Sequence, residues 1–259
     1  MAGGGELIID IPAGKKIYFA SDQHFGAPNE TESRAREQKF IQFLNEIKPD
    51  THALFLLGDL FDFWFEYKQV VPRGYMRVLG KLAEFADAGI PIYFFIGNHD
   101  LWMRDYLEQE LNAQVFNRPQ VFVINGKKCF IGHGDGLGPG DKGYKRLKKL
   151  FTNPLAKKMF YLLHPDFSLW LGKYLSRKNR YLSGDKDNNF YGDDEWLVQY
   201  AKRKLSQAHY DYFVFGHRHL PLEIKLSEQS KYINTGDWLS HFTYAVFEDE
   251  KLSLKRYIV

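Results

Sequence analysis

The residues best suited to chemistry in this chain are seven oxygen or imidazole donors: Asp22, His24, Asp59, Asn98, His133, His217 and His219. No thiolate accompanies them, so a cation held there would be Mn²⁺, Fe²⁺, Co²⁺ or Zn²⁺ rather than copper. Each donor follows a short aromatic or β-branched run: 17-IYFASDQH-24, 54-LFLLGDLFDFW-64, 92-IYFFIGNHD-100, 129-CFIGHGD-135 and 212-YFVFGHRH-219. Asp22 and His24 are two residues apart, as are His217 and His219, so at a strand end each pair projects to one side. Two metal ions about 3.5–4 Å apart need a carboxylate that touches both, and Asp59 is the natural candidate. Such a pair clamps a phosphate, activates water near neutral pH and offsets charge on the leaving oxygen. Taken singly, each residue could equally cap a strand or open a turn. Five such strand ends in one chain argue for convergence on one metal centre.

The elements that must position these residues follow from periodicity. Residues 7–11 and 16–21 are expected to be paired strands with a turn between them, bounded by Pro12 and Gly14. A helix is expected over 31–47 with Thr31 as its N-cap, then a strand over 53–58 and a helix from Pro72 to Ala88 stopped by Gly89. A strand over 91–96, a helix over 101–111 and strands over 120–124 and 127–132 complete the first half. Asn125-Gly126 marks a hairpin between the last two. Three short helical stretches, 144–151, 155–163 and 167–175, then break the rhythm, punctuated by Pro154 and Pro165. A helix over 193–206 and strands over 212–215, 231–235, 242–248 and 251–258 close the chain. Strands alternating with helices predict an α/β domain around a sheet core. The expected organisation is a core of 1–140 and 182–259, interrupted by a basic amphipathic helical cap over 141–181.

Composition sets the outer limits. At 259 residues and 44% hydrophobic, the chain suits one large domain, with or without an insert. Its single cysteine, Cys129, precludes an internal disulfide and fits a reducing compartment. The N-terminus lacks the basic and apolar regions of a secretory signal, and charges interrupt every candidate membrane span. A cytoplasmic protein is expected. Net charge is +3, yet segment 142–180 alone carries +10, which leaves −7 for the remainder. That asymmetry predicts an anionic partner surface.

The blocks D-x-H, GD, GNHD, HGD and GHRH, in this order from Ser21 to His219, resemble the calcineurin-type metallophosphoesterase superfamily. The resemblance implies a four-layer α/β/β/α sandwich with a two-metal centre at the strand ends. One metal ion would take Asp22, His24, Asp59 and His219, and the other Asp59, Asn98, His133 and His217. His99 would face the phosphate and assist the leaving group, with Asp100 orienting it. GDLFDFW, HGDGLGPGDKGYKRLKK and NTGDW are similar to the LpxH family, the UDP-2,3-diacylglucosamine pyrophosphatases of lipid A synthesis. That likeness implies two divalent ions, Mn²⁺ first among them, and hydrolysis of a lipid-linked nucleotide at the inner face of the membrane. Asp141 and Tyr144 would join Asn98, His99 and His217 in facing substrate.

The insert agrees on its own terms. Basic helices with excess Leu, Phe, Tyr and Trp suit acyl chains, phosphates and an anionic membrane surface. Internal packing of those helices, or a contact between two copies, is the alternative. Nucleic-acid binding is not expected, and no obligate protein partner is. The aromatic tail Phe61, Phe63, Trp64 and Phe65 could wall an acyl pocket or simply fill the core. LpxH sequences commonly read GNRD where this chain reads GNHD, which keeps hydrolysis of another phosphodiester, nucleotide or phospholipid-like substrate as the alternative. A non-catalytic scaffold is the least favoured reading, because all seven donor positions are filled.

Overall fold

The computed structural model describes residues 5–139, 142–187 and 189–258. Strands β1 (Leu7–Ile9), β6 (Gln120–Ile124), β7 (Lys127–Ile131), β8 (Tyr212–Phe215), β9 (Pro221–Lys225) and β10 (Lys231–Thr235) build one sheet, ordered β1-β6-β7-β8-β10-β9. Strands β2 (Lys16–Ala20), β3 (Thr51–Leu56), β4 (Ile92–Phe95), β5 (Gln114–Phe116), β11 (Thr243–Glu248) and β12 (Lys251–Arg256) build the other, ordered β12-β11-β2-β3-β4-β5.

Alternation along the strands explains why the sheets stack. In β2, Ile17 and Phe19 face Phe122, Ile131, Val214 and Ile233 of the opposite sheet, forming the core between the two sheets. Tyr18 and Ala20 point the other way, onto helices α1 (Glu30–Ile47), α2 (Met76–Asp87) and α3 (Tyr106–Leu111), against Phe40, Phe43, Leu82 and Leu107. On the far side, Phe130, Phe213, Phe215 and Tyr232 pack on Leu197, Val198 and Ala201 of α7 (Trp196–Leu205). The result is the four-layer α/β/β/α sandwich. Strands buried on both faces have no polar face to show, which is why they read as unbroken apolar runs.

Parallel pairing sets the place of the site. β2, β3 and β4 run parallel, and so do β7, β8 and β10, so each trio presents its C-terminal ends along one edge. The candidate donors lie just beyond those ends.

Several expectations are corrected. β1 and β2 are not paired: β1 lies parallel to β6 in one sheet and β2 belongs to the other. Asn29, not Thr31, caps α1, its side chain accepting from the Glu32 N–H. Pro72 precedes α2, which starts at Met76, and α3 starts at Tyr106 rather than near 101. β5 and β9 are edge strands that periodicity did not reveal; one is short, and the other starts with Pro221 and carries charge. The hairpin holds, with positive φ at both Asn125 and Gly126. The helical stretches become α4 (Lys142–Phe151), α5 (Pro154–Tyr161) and α6 (Pro165–Asp187), the last much longer than its apolar pattern indicated.

Behind the loop that carries Asp22 and His24 lies buried Arg36. Its guanidinium donates to the carbonyls of Gln23 at 2.7 Å, His24 at 2.8 Å and Ala27 at 2.5 Å. These charge-assisted bonds hold backbone carbonyls that are shut off from water. Arg36→Ala is expected to cost about 2–4 kcal/mol of stability, read from urea denaturation. A change near zero would show that other contacts hold the loop.

Candidate metal centre

The backbone signals the site before its side chains do. Asp22, His24, Asp59, His217 and His219 all have positive φ, among ten such non-glycine residues described. Left-handed backbone at residues with a Cβ costs free energy and persists where the surroundings enforce it. Two motif glycines allow the loops to close in. A Cβ on Gly97 would collide with Asp59, and one on Gly58 would meet the His133 ring at 2.6 Å.

The seven donors are brought together. His24 Nε2 lies 3.2 Å from His219 Nε2 and 3.8 Å from Asp22 Oδ1, and His219 Nε2 lies 3.5 Å from that same oxygen. On the other side, His133 Nε2 is 3.1 Å from Asn98 Oδ1, which is 2.8 Å from His217 Nδ1. Asp59 stands between the two groups: its Oδ2 is 3.7 Å from His24 Nε2 and 3.4 Å from His133 Nε2. Its Oδ1 accepts the His99 N–H at 2.8 Å.

Partners behind the imidazoles orient them. His133 Nδ1 lies 2.7 Å from the Leu57 carbonyl, which can only accept, so Nδ1 carries a proton and Nε2 is the nitrogen turned inward. His219 Nδ1 is 3.3 Å from Asp237 Oδ2, and His24 Nδ1 is 3.7 Å from Asp62 Oδ1. Asp237 in turn accepts from the Ser240 and His241 N–H groups. Burial works against its ionisation, yet the neighbouring His219 holds its carboxyl far below the usual range.

Electrostatics agree with a cation site. Burial opposes charge on both Asp59 and His133, but each overrides it in the other: the Asp59 carboxyl is held well below its usual range, and His133 is pushed up to about 10. Burial and the His133 charge together push His217 down to about 4, which keeps it neutral. Asp22 Oδ1 is buried without a hydrogen-bond partner, although two imidazole nitrogens lie close by. An orphaned carboxylate oxygen, and buried carboxylates that retain a proton on a histidine, mark a site short of positive charge. A set of only oxygen and nitrogen donors fits divalent ions, and the groups Asp22–His24–His219 and Asp22–Asp59–His133 are each compact enough to hold one.

His99 lies alongside. Its ring meets the His24 ring edge-on with centroids 4.7 Å apart, and its Nδ1 is 2.9 Å from the Asp62 carbonyl and 2.8 Å from Ser176 Oγ. The expectation for Asp100 needs correction. Its fully buried carboxylate accepts from the Gly97 N–H at 2.5 Å and the Leu60 N–H at 3.1 Å, which fixes the loop rather than the His99 ring. Burial, aided by the Asp59 charge, pushes Asp100 up to about 8. The carboxylate near His99 is Asp62, 3.6 Å from Nδ1. Asp62 and Asp237 were missed as partners, though the second aspartate of GDLFDFW and that of NTGDW stood at strand ends. Tyr144 donates to Asp135 and its ring lies 6.3 Å from that of His217. Asp141 lies outside the described residues.

An apolar cavity of about 260 Å³ opens beside Asn98 and His99, walled by Phe63, Trp102, Leu147 and Phe160. The aromatic tail therefore divides. Phe61 and Trp64 belong to the core under the helices, although Trp64 also reaches the cavity, while Phe63 lines the cavity outright.

This fold and this cluster of carboxylates and imidazoles define a metal-dependent phosphoester hydrolase. The chain belongs to the calcineurin-like phosphoesterase family, whose sequence profile matches residues 15–221. Among its relatives is a protein of Porphyromonas gingivalis named UDP-2,3-diacylglucosamine hydrolase, 36% identical over 254 residues that cover 93% of this chain and 97% of that one. Proteins of the same name from Psychromonas ingrahamii and Shewanella putrefaciens are each 28% identical. They cover 92% and 86% of this chain, and 96% and 89% of their own.

Among the described residues, Asp237 reaches the centre through His219. Asp237→Asn is therefore expected to weaken divalent-metal affinity about 10- to 100-fold, measured by metal titration, with the fold intact by circular dichroism. Unchanged affinity would remove Asp237 from the design of the site.

Proposed function

We propose that the protein cleaves the pyrophosphate of UDP-2,3-diacylglucosamine, giving UMP and 2,3-diacylglucosamine 1-phosphate. The observation that carries this reading is an apolar cavity joined directly to the donor cluster at Asn98 and His99. A lipid-linked diphosphate needs that combination, and the names of the relatives point the same way.

In this reading, Asp22, His24, Asp59 and His219 hold one divalent ion, and Asp59, Asn98, His133 and His217 the other, with Mn²⁺ the expected metal. When bound, the two ions supply Lewis acidity toward the phosphate and activation of water. The side chains do the rest. Nδ1 of His99 faces a carbonyl and therefore carries its proton, which assigns proton exchange with the leaving oxygen to Nε2. Ser176 of α6 also donates to the Asp62 carbonyl, at 2.8 Å, so the insert helps set the His99 ring.

The 141–181 insert acts as a cap that takes the acyl chains. Trp102 Nε1 donates to the Phe151 carbonyl at 2.7 Å, and the Trp102 and Phe160 rings pack 4.4 Å apart, tying cap to core. Outside, Phe167, Trp170 and Tyr174 form a stacked, exposed stripe on α6, and Leu155, Met159 and Leu162 are exposed on and just after α5. With the lysines around them, they suit a peripheral contact with an anionic membrane from the cytoplasmic side. No helix among the described residues is long and apolar enough to cross a membrane.

His99 favours a second reading, a related enzyme for another phosphoester, because LpxH sequences commonly carry arginine at that place. Turnover separates the two. Mn²⁺-loaded protein is expected to release UMP from UDP-2,3-diacylglucosamine, and to lose that activity on chelation. His99→Ala should lower kcat about 10²- to 10⁴-fold. Absence of UMP release alongside rapid hydrolysis of simple phosphodiesters would select the second reading.

A further inference from the structure

Two cavities flank the candidate centre, and α4 is the wall between them. Tyr144, Leu147 and Phe151 of α4 face the apolar cavity. Lys145, Lys148 and Lys149 face a second, larger cavity of about 500 Å³ that opens on His133 and Asp135. Spacings of three and four residues place each set on its own helical stripe. Arg118, between β5 and β6, adds a fourth cation across the opening.

These cations are not equally committed. Lys148 pairs with Asp135, and Lys145 Nζ donates to the Gly138 carbonyl. Arg118 and Lys149 make no ion pair among the described residues. Four cations thus face one buried carboxylate, two of them uncommitted, in a space within the roughly 300–1,000 Å³ of small-molecule pockets. Phe116 and Pro119 line its apolar side. Lysine and arginine recognise phosphate oxygens, and an apolar wall beside them accepts a base or sugar.

We propose that this second cavity binds the nucleoside-monophosphate half of a nucleotide-linked substrate, with its phosphate directed to Arg118 and Lys149. The assignment rests on the substrate reading above and extends it. The amphiphile is divided by α4, acyl chains on the Leu147 side and nucleotide on the Lys149 side. The diphosphate then runs from the junction formed by Asp59, Asn98 and His133 toward Arg118 and Lys149.

Calorimetric titration of the metal-loaded full chain with UMP tests the assignment, with uridine and inorganic phosphate as separate arms. Arg118→Glu combined with Lys149→Glu is expected to weaken UMP binding at least tenfold, about 1.4 kcal/mol. Leu147→Ala, on the other stripe, should leave the UMP dissociation constant at the wild-type value. Uridine and phosphate should each bind more weakly than UMP. Melting temperature and metal content report on folding, and Arg118→Gln alone serves if the double variant does not fold. Wild-type affinity for UMP in the charge variants overturns the proposal, as does inorganic phosphate binding as tightly as UMP. If UMP binding depends on Arg118 and Lys149 but UDP-2,3-diacylglucosamine is not hydrolysed, the nucleotide site stands and the lipid substrate falls.

Discussion

The Asp59 carboxylate is the constraint on which the other contacts of the centre depend. One oxygen is held by the His99 N–H, and the other faces His24 and His133 at once. A buried carboxylate placed this way imposes several demands. Its loop must turn through left-handed backbone, its neighbour Gly97 must have no side chain, and positive charge must be supplied close by. Each demand is met by a residue from a different strand end. The GD, GN and HGD blocks are thus mutually dependent, because the glycine of one is the space occupied by the donor of another.

Around this point the chain separates two kinds of work. The sheets fix where the donors start, through parallel strands whose ends share an edge. The residues behind His133 and His219 fix which nitrogen each of these imidazoles presents. Leu57 and Asp237 touch no substrate in the proposed reading, yet without them His133 and His219 could present either ring nitrogen. Among the described residues, α6 meets the same network through Ser176, which contacts both His99 and the Asp62 carbonyl. Positioning of the His99 ring is therefore shared between the loop after β3 and α6.

Much of this was legible in the sequence because it depends on residue type. Strands buried on both faces must be apolar throughout, and donors must be Asp, Asn or His, so both leave marks in the chain. What stayed hidden depends on distant partners. The β1–β2 turn looked local, but β1 finds its mate at β6, more than a hundred residues on. Thr31 was expected to cap α1, but the extended backbone at Asn29 and its side chain, which accepts the Glu32 N–H, give the cap to Asn29 instead. Asp100 followed a histidine and was read as serving it; tertiary structure instead gives it the Gly97 and Leu60 N–H groups. Asp62 and Asp237 drew no reading from the sequence, because their roles depend on imidazoles that only the fold brings near.

The distribution of donors between the sheets has one more consequence. Asp22, His24, Asp59 and Asn98 follow strands of one sheet, while His133, His217 and His219 follow strands of the other. Under the proposed partition, each ion takes donors from both. Each would then act as a cross-link over the inter-sheet core, and its binding free energy would be part of what keeps the two sheets docked. Metal supply and resistance to unfolding become one coupled quantity, so a chain starved of metal would be a weaker sandwich as well as an idle enzyme.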